Sequence, residues 1–131
     1  MVFGAGAIGL LTASVLQAQG SSEIVIADID EARLKIALDL GLATKTYLIP
    51  MGPRKSDITE ILEDAKTLAT TIAKSVELTG FDRVYECTGV PSCVQAGIFV
   101  STPGIAEQRC YSLKELTQPF RHAKQEVSSF L

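Results

Sequence analysis

The 131-residue chain contains no asparagine, one histidine and three cysteines. Without asparagine there is no N-glycosylation acceptor, which removes one mark of a secreted protein. Cys87, Cys93 and Cys110 are odd in number and form no C-x-x-C pair, so the pattern supports neither a disulfide framework nor a zinc knuckle. A reducing, cytoplasmic setting is expected. There is no basic cluster, and the formal net charge is −3, which argues against nucleic acid as a partner. The first Lys or Arg is Arg33, so the apolar opening MVFGAGAIGLLTASVLQAQG lacks the basic flank of a signal peptide. No uninterrupted apolar run reaches membrane-spanning length, and no membrane partner is expected.

What is present is 47% hydrophobic and 21% charged residues, the composition of one small soluble domain with a modest core. Short β-rich runs alternate with helical periods, the pattern of βαβ units and a mostly parallel sheet. Val2 and Phe3 read as the end of a strand, followed by a helix over Ile8–Gln19 that Gly20 stops. Glu23–Asp28 reads as a second strand, and a helix follows with Asp30 at its N-cap and Gly41 past its end. A third strand is expected over Thr44–Ile49. The clearest helix begins at Ile58, with Asp57 and Glu60 resembling a capping box, and is expected to run to Gly80. A fourth strand over Arg83–Cys87 precedes a helix that starts near Pro91 and reaches about Ser101. Beyond Gly104 the pattern fails, apart from a short helical stretch at Leu113–Leu116 before Pro119.

Gly4-Ala5-Gly6-Ala7-Ile8-Gly9 meets G-x-G-x-x-G between a strand and a helix. In that context the glycines serve a tight turn, close approach of the backbone to a pyrophosphate, and close helix–strand packing. The amides of Ala7, Ile8 and Gly9 at the helix N-terminus would face the phosphates. Asp28 ends the second strand about 20 residues past the motif, where a carboxylate accepts from ribose hydroxyls and repels a 2′-phosphate, selecting NAD over NADP. Asp30 adds a second negative charge. Arg33, on the first turn of the next helix, either lays its guanidinium on an adenine face or is a solvated surface residue.

The stretches VFGAGAIGLLTASVLQAQGSSEIVIADIDEARLKIALDLG and FDRVYECTGVPSCVQAGIFVSTPG resemble the zinc-dependent medium-chain dehydrogenases, in particular the polyol branch that acts on sorbitol, xylitol and arabinitol. The resemblance implies a secondary alcohol oxidised by hydride transfer to NAD, with a catalytic zinc polarising the alcohol oxygen. It favours adenine stacking for Arg33, and it places the ECTG segment, Glu86 to Gly89 and so Cys87, Thr88 and Gly89, near the nicotinamide half of the cofactor, with Cys87 a packing residue rather than a nucleophile. A fainter likeness around FRH implies that Arg121 lies near cofactor and substrate.

The zinc ligands of that family come mainly from a preceding catalytic domain, and a lone His122 supplies no such site. No metal-binding or catalytic residue is therefore expected in this chain. The expected fold is α/β: a Rossmann-type doubly wound parallel sheet, incomplete at about four strands. It is assigned to residues 1–104, with an irregular or helical C-terminal tail over 105–131. The exposed edge of the fourth strand is open to self-association. The expected function is the NAD-binding portion of a polyol dehydrogenase, inactive alone. A non-catalytic NAD-binding or regulatory module, or another Rossmann nucleotide-binding protein, stays open.

Overall fold

Strands whose residues are buried on both faces need helices on both sides, and this chain supplies them in strict alternation. A computed structural model describes residues 1–52 and 57–101; the tail over 105–131, with Arg121 and His122, lies outside the described residues. The order is β1 (Val2–Phe3), α1 (Ala7–Ala18), β2 (Val25–Asp28), α2 (Glu31–Asp39), β3 (Lys45–Leu48), α3 (Ile58–Ser75), β4 (Tyr85–Glu86) and α4 (Pro91–Val100). The strands form a four-stranded sheet in the order β3-β2-β1-β4. All pairings are parallel, with Val2 opposite both Ile26 and Tyr85.

Alternation along the strands divides the core into two layers. Phe3, Val25 and Ala27 pack with Ala65, Ala69 and Ile72 of α3 and with Cys93, Ala96 and Val100 of α4. Val2 and Ile26 point the other way, onto Ala13 and Leu16 of α1 and Leu34 and Ala37 of α2. The chain thus winds from β1 to β3 with helices on one face, crosses with α3 to the other, and returns β4 to the far side of β1. That reversal is the topological switch point at which α/β sheets bind ligands, beyond the carboxyl ends of the strands.

The strands are shorter than their apolar patterns suggest. For β2 the reason is Thr44, whose hydroxyl both donates to Ile24 O (3.1 Å) and accepts from Ile24 N (3.0 Å). For β4, pairing is limited by β1, which ends at the Gly4 turn. Hydrogen bonds still run the expected length of β4, from Met1 N to Arg83 O (2.9 Å), from Tyr85 N to Met1 O (2.9 Å) and from Cys87 N to Phe3 O (2.9 Å). An isolated parallel bridge joins Phe81 to Ser101.

Helix ends follow side-chain chemistry at α2 and α3. Asp30 accepts from the amides of Ala32 and Arg33, and Asp57 from those of Thr59 and Glu60. α3 ends earlier than Gly80 suggests. Glu77 takes the left-handed conformation (φ 59°) that Gly20 and Gly41 supply after α1 and α2. Leu78 N then bonds Ala73 O (2.9 Å) and Glu77 N bonds Lys74 O (3.2 Å), the two bonds of a Schellman motif.

Two outcomes follow from these local features. A left-handed glutamate carries steric strain that glycine lacks, so Glu77→Gly should raise stability by about 0.5–1 kcal/mol in denaturant unfolding. The α-ammonium of Met1, whose residue is only 5% exposed, is lowered from its ordinary 8.0 to about 6, chiefly by burial and against the pull of Asp82. Between those values the unfolded chain binds the proton more tightly than the folded one, so stability should rise from pH 6 to pH 8. The gain should approach about 2–3 kcal/mol, and acetylation of the N-terminus should abolish the slope.

Candidate functional site

The turn from β1 into α1 is shaped by what a methyl group would meet at each glycine. At Gly9 a Cβ would fall 1.8 Å from the carbonyl oxygen of Gly4 and 3.5 Å from Val2 Cγ1, so α1 lies against the end of β1 at a distance only hydrogen permits. Gly4 has φ 98°, and a Cβ there would meet Thr88 Cγ2 at 3.1 Å and Cys87 O at 3.3 Å. At Gly6 a Cβ would meet nothing within 4 Å. Two glycines therefore serve packing within the chain, while the third faces open space.

The amides of the turn divide in the same way. Gly4 N donates to Ala27 O (2.7 Å) and Ala5 N to Asp28 Oδ2 (2.6 Å), fastening the turn to β2. The first intrahelical bond of α1 runs from Leu10 N to Gly6 O (2.9 Å), so the amides of Ala7, Ile8 and Gly9 lie ahead of that ladder, at the helix N-terminus. α2 and α3 begin with aspartate caps, whereas α1 has neither a side-chain cap nor an acidic residue in its first turn. A positive helix end with exposed Ala7 and Ile8 and no acid of its own suits an anion.

Asp28 closes the site on the β2 side. Its carboxylate is buried, at 6% residue exposure, and accepts from Ala5 N through Oδ2 and from Asp30 N (2.9 Å) through Oδ1. A carboxylate offers about four lone-pair directions, so each oxygen retains capacity for a ligand hydroxyl. Arg33 stands at the start of α2, with Nε 3.4 Å from Asp30 Oδ2 and its side chain more than half exposed. Its guanidinium is thus held at the same corner by an ion pair that contributes little stability by itself.

Cys87, Thr88 and Gly89 lie beyond the end of β4, on the opposite side of β1 from Asp28. Cys87 Sγ is 3.9 Å from Thr12 Oγ1. Burial pushes the Cys87 thiol up, the Thr12 contact pulls it down and Glu86 raises it again. Cys93 is likewise raised, first by burial. Raised thiols are poor nucleophiles, which fits packing roles for both. Among the described residues no group of three or more His, Cys, Asp or Glu side chains could hold a metal ion. These residues do not fit a zinc site, and the site's chemistry is that of its amides, carboxylates and hydroxyls.

The structure therefore gathers Gly4, Gly6, Ala7, Ile8, Gly9, Asp28, Cys87, Thr88 and Gly89 at the carboxyl ends of three adjacent strands, with Arg33 at the rim. Arg121 lies outside the described residues. Sequence reasoning missed Ala5, which acts through its backbone amide and so leaves no side-chain signal, and Thr12, whose contact with Cys87 spans 75 positions. The glycine geometry separates two substitutions. Gly9→Ala should cost about 3 kcal/mol or more in thermal or denaturant unfolding, because backbone must move to admit the methyl. Gly6→Ala should change stability by less than about 1 kcal/mol, since its φ of −76° suits alanine.

Comparison with known proteins gives the family. The pattern of the family described as zinc-binding dehydrogenase matches residues 7–105. The D-xylulose reductase of Saccharomyces cerevisiae is 35% identical over 104 residues, covering 79% of this chain and 26% of that protein. An L-arabinitol 4-dehydrogenase of Talaromyces emersonii is 36% identical, covering 76% of this chain and 25% of its own length. The sorbitol dehydrogenase of Rattus norvegicus is 34% identical, with 79% and 26% covered. The chain spans about a quarter of the length of these relatives. By the extent of the family match, and with Asp28 and Cys87–Gly89 inside it, the chain belongs to the zinc-binding dehydrogenases.

Proposed function

We propose that this chain binds NAD(H) across the carboxyl ends of β2, β1 and β4, as the dinucleotide-binding portion of a polyol dehydrogenase. The observation that carries the reading is the division of labour in the glycine turn. Its packing positions are closed to any side chain, while Gly6 opens onto the uncapped N-terminus of α1. The amides of Ala7, Ile8 and Gly9 would hold the pyrophosphate. Asp28 would accept from the adenosine ribose hydroxyls, and Arg33 would cover the adenine. Cys87, Thr88 and Gly89 would border the nicotinamide half.

Preference for NAD over NADP rests on charge at one corner. The Asp30 amide donates to the Asp28 carboxylate, so the two acidic residues stand at one corner and a 2′-phosphate there would meet negative charge from both. The one cation described there, Arg33, is already engaged by Asp30. When bound, the nicotinamide supplies the hydride acceptor for a secondary alcohol, the reaction implied by likeness to the polyol dehydrogenases. The chain's own described groups at the site bind and orient, and burial pushes the thiols of Cys87 and Cys93 up. Binding, rather than turnover by this chain alone, is the assigned role.

Ligand-dependent unfolding tests the reading. At about 100 times Kd, NAD should stabilise the chain by roughly 2.7 kcal/mol, while the same concentration of NADP gives a much smaller shift. Gly6→Ala should retain the unliganded midpoint and lose the NAD shift. A cooperative transition that NAD leaves unmoved would overturn the assignment.

A further inference from the structure

We propose that Glu86 is the positioning residue for the second half of the dinucleotide, because its carboxylate folds the Thr88–Gly89 loop into the wall that faces the glycine turn. This rests on the nucleotide-binding reading above and deepens it. Glu86 lies opposite Phe3 in the β1–β4 register, one residue before the turn on each strand. A ligand with its ribose at Asp28 and its phosphates at α1 must continue over the end of β4, since β1 lies between β2 and β4.

Three donors from two consecutive residues converge on this one carboxylate. Glu86 Oε1 accepts from Thr88 N (2.7 Å) and from the Thr88 hydroxyl, while Oε2 accepts from Gly89 N (3.0 Å). Thr88 Oγ1 in turn accepts from Val90 N (3.0 Å), the N-cap residue of α4. α4 has no side-chain cap of its own, and Thr88 also hydrogen-bonds the Cys93 thiol. The loop so formed carries Thr88 Cγ2 and Cys87 O to within 3.1 and 3.3 Å of the place a Cβ would occupy on Gly4. The two binding loops therefore touch, and the shape of one limits the other.

These bonds are exposed. Water can replace them when Glu86 is altered, so they contribute little to global stability and act mainly on loop shape. A loop that must be ordered on binding lowers affinity only for a ligand that reaches it. That separates a positioning role from a structural one.

The test is calorimetric titration of AMP and of NADH into the full 131-residue chain and into Glu86→Gln and Glu86→Asp. Gln keeps the length of Glu but turns an amide NH2 toward one of the loop's donors. Asp keeps both acceptors and can still receive the amide two residues on. Glu86→Gln should weaken NADH about tenfold, on the order of ordering one residue's backbone, with AMP affinity within about twofold and the unliganded midpoint nearly unmoved. Glu86→Asp should recover NADH affinity to within about threefold of the native chain.

Unchanged NADH affinity in Glu86→Gln would overturn the proposal, as would equal loss of AMP and NADH. If Glu86→Gln does not fold, Thr88→Val carries the test: it removes the hydroxyl relay, and its NADH affinity should fall while AMP binding holds. Equal NADH affinity in that variant overturns the proposal. A native chain that binds neither ligand overturns the nucleotide-site reading itself. In a native chain that binds both, the Glu86 and Thr88 variants decide the positioning role.

Discussion

The approach of α1 to β1 governs the rest of this structure. With hydrogen alone permitted at Gly9 against the Gly4 carbonyl, the helix axis is brought down onto the end of the strand and its N-terminal amides are presented at the sheet's carboxyl edge. β1 lies between β2 and β4, so this one contact sets where both neighbouring loops can stand. Asp28 reinforces it from the β2 side through Ala5 N, and the Cys87 carbonyl and the Thr88 methyl meet it from the β4 side.

The energetics of the site and of the core are separable for a physical reason. Core layers above and below the sheet are built of apolar residues that bury completely, such as Phe3, Val2, Val25, Ile26 and Ile72. Their contribution comes from apolar area removed from water. The site residues contribute little of that kind. Gly6 meets nothing and Arg33 is paired at an exposed corner, while the Glu86 bonds are open to solvent. Asp28 is the exception, a buried acid whose two backbone donors meet part of its hydrogen-bonding demand. It links the fold to the site, so a change there acts on both.

Most of the fold is legible in local pattern. The α3 stripe from Ile58 onward, the aspartates at Asp30 and Asp57 and the glycines at Gly20 and Gly41 each mark an element or its end, because capping and amphipathic period are properties of a few neighbouring residues. The end of α3 escapes local reading for the complementary reason. Glu77 adopts a left-handed conformation that glutamate does not advertise, and the motif's bonds to Ala73 and Lys74 impose it. The lengths of β2 and β4 are also hidden, since they depend on Thr44 and on the brevity of β1, residues distant in sequence.

For the site, the sequence by itself determined the glycine turn, Asp28 at the end of β2 and the ECTG segment, because spacing along a strand–turn–helix unit fixes which backbone groups meet a phosphate. Only the tertiary structure decided which glycine faces open space, that Asp28 is tied to the turn through Ala5, and that Glu86 accepts from the loop opposite Gly4. Those facts depend on β1 lying between β2 and β4 with both loops at the same edge of the sheet. That arrangement comes from burying two apolar faces at once, which no local stretch of sequence contains.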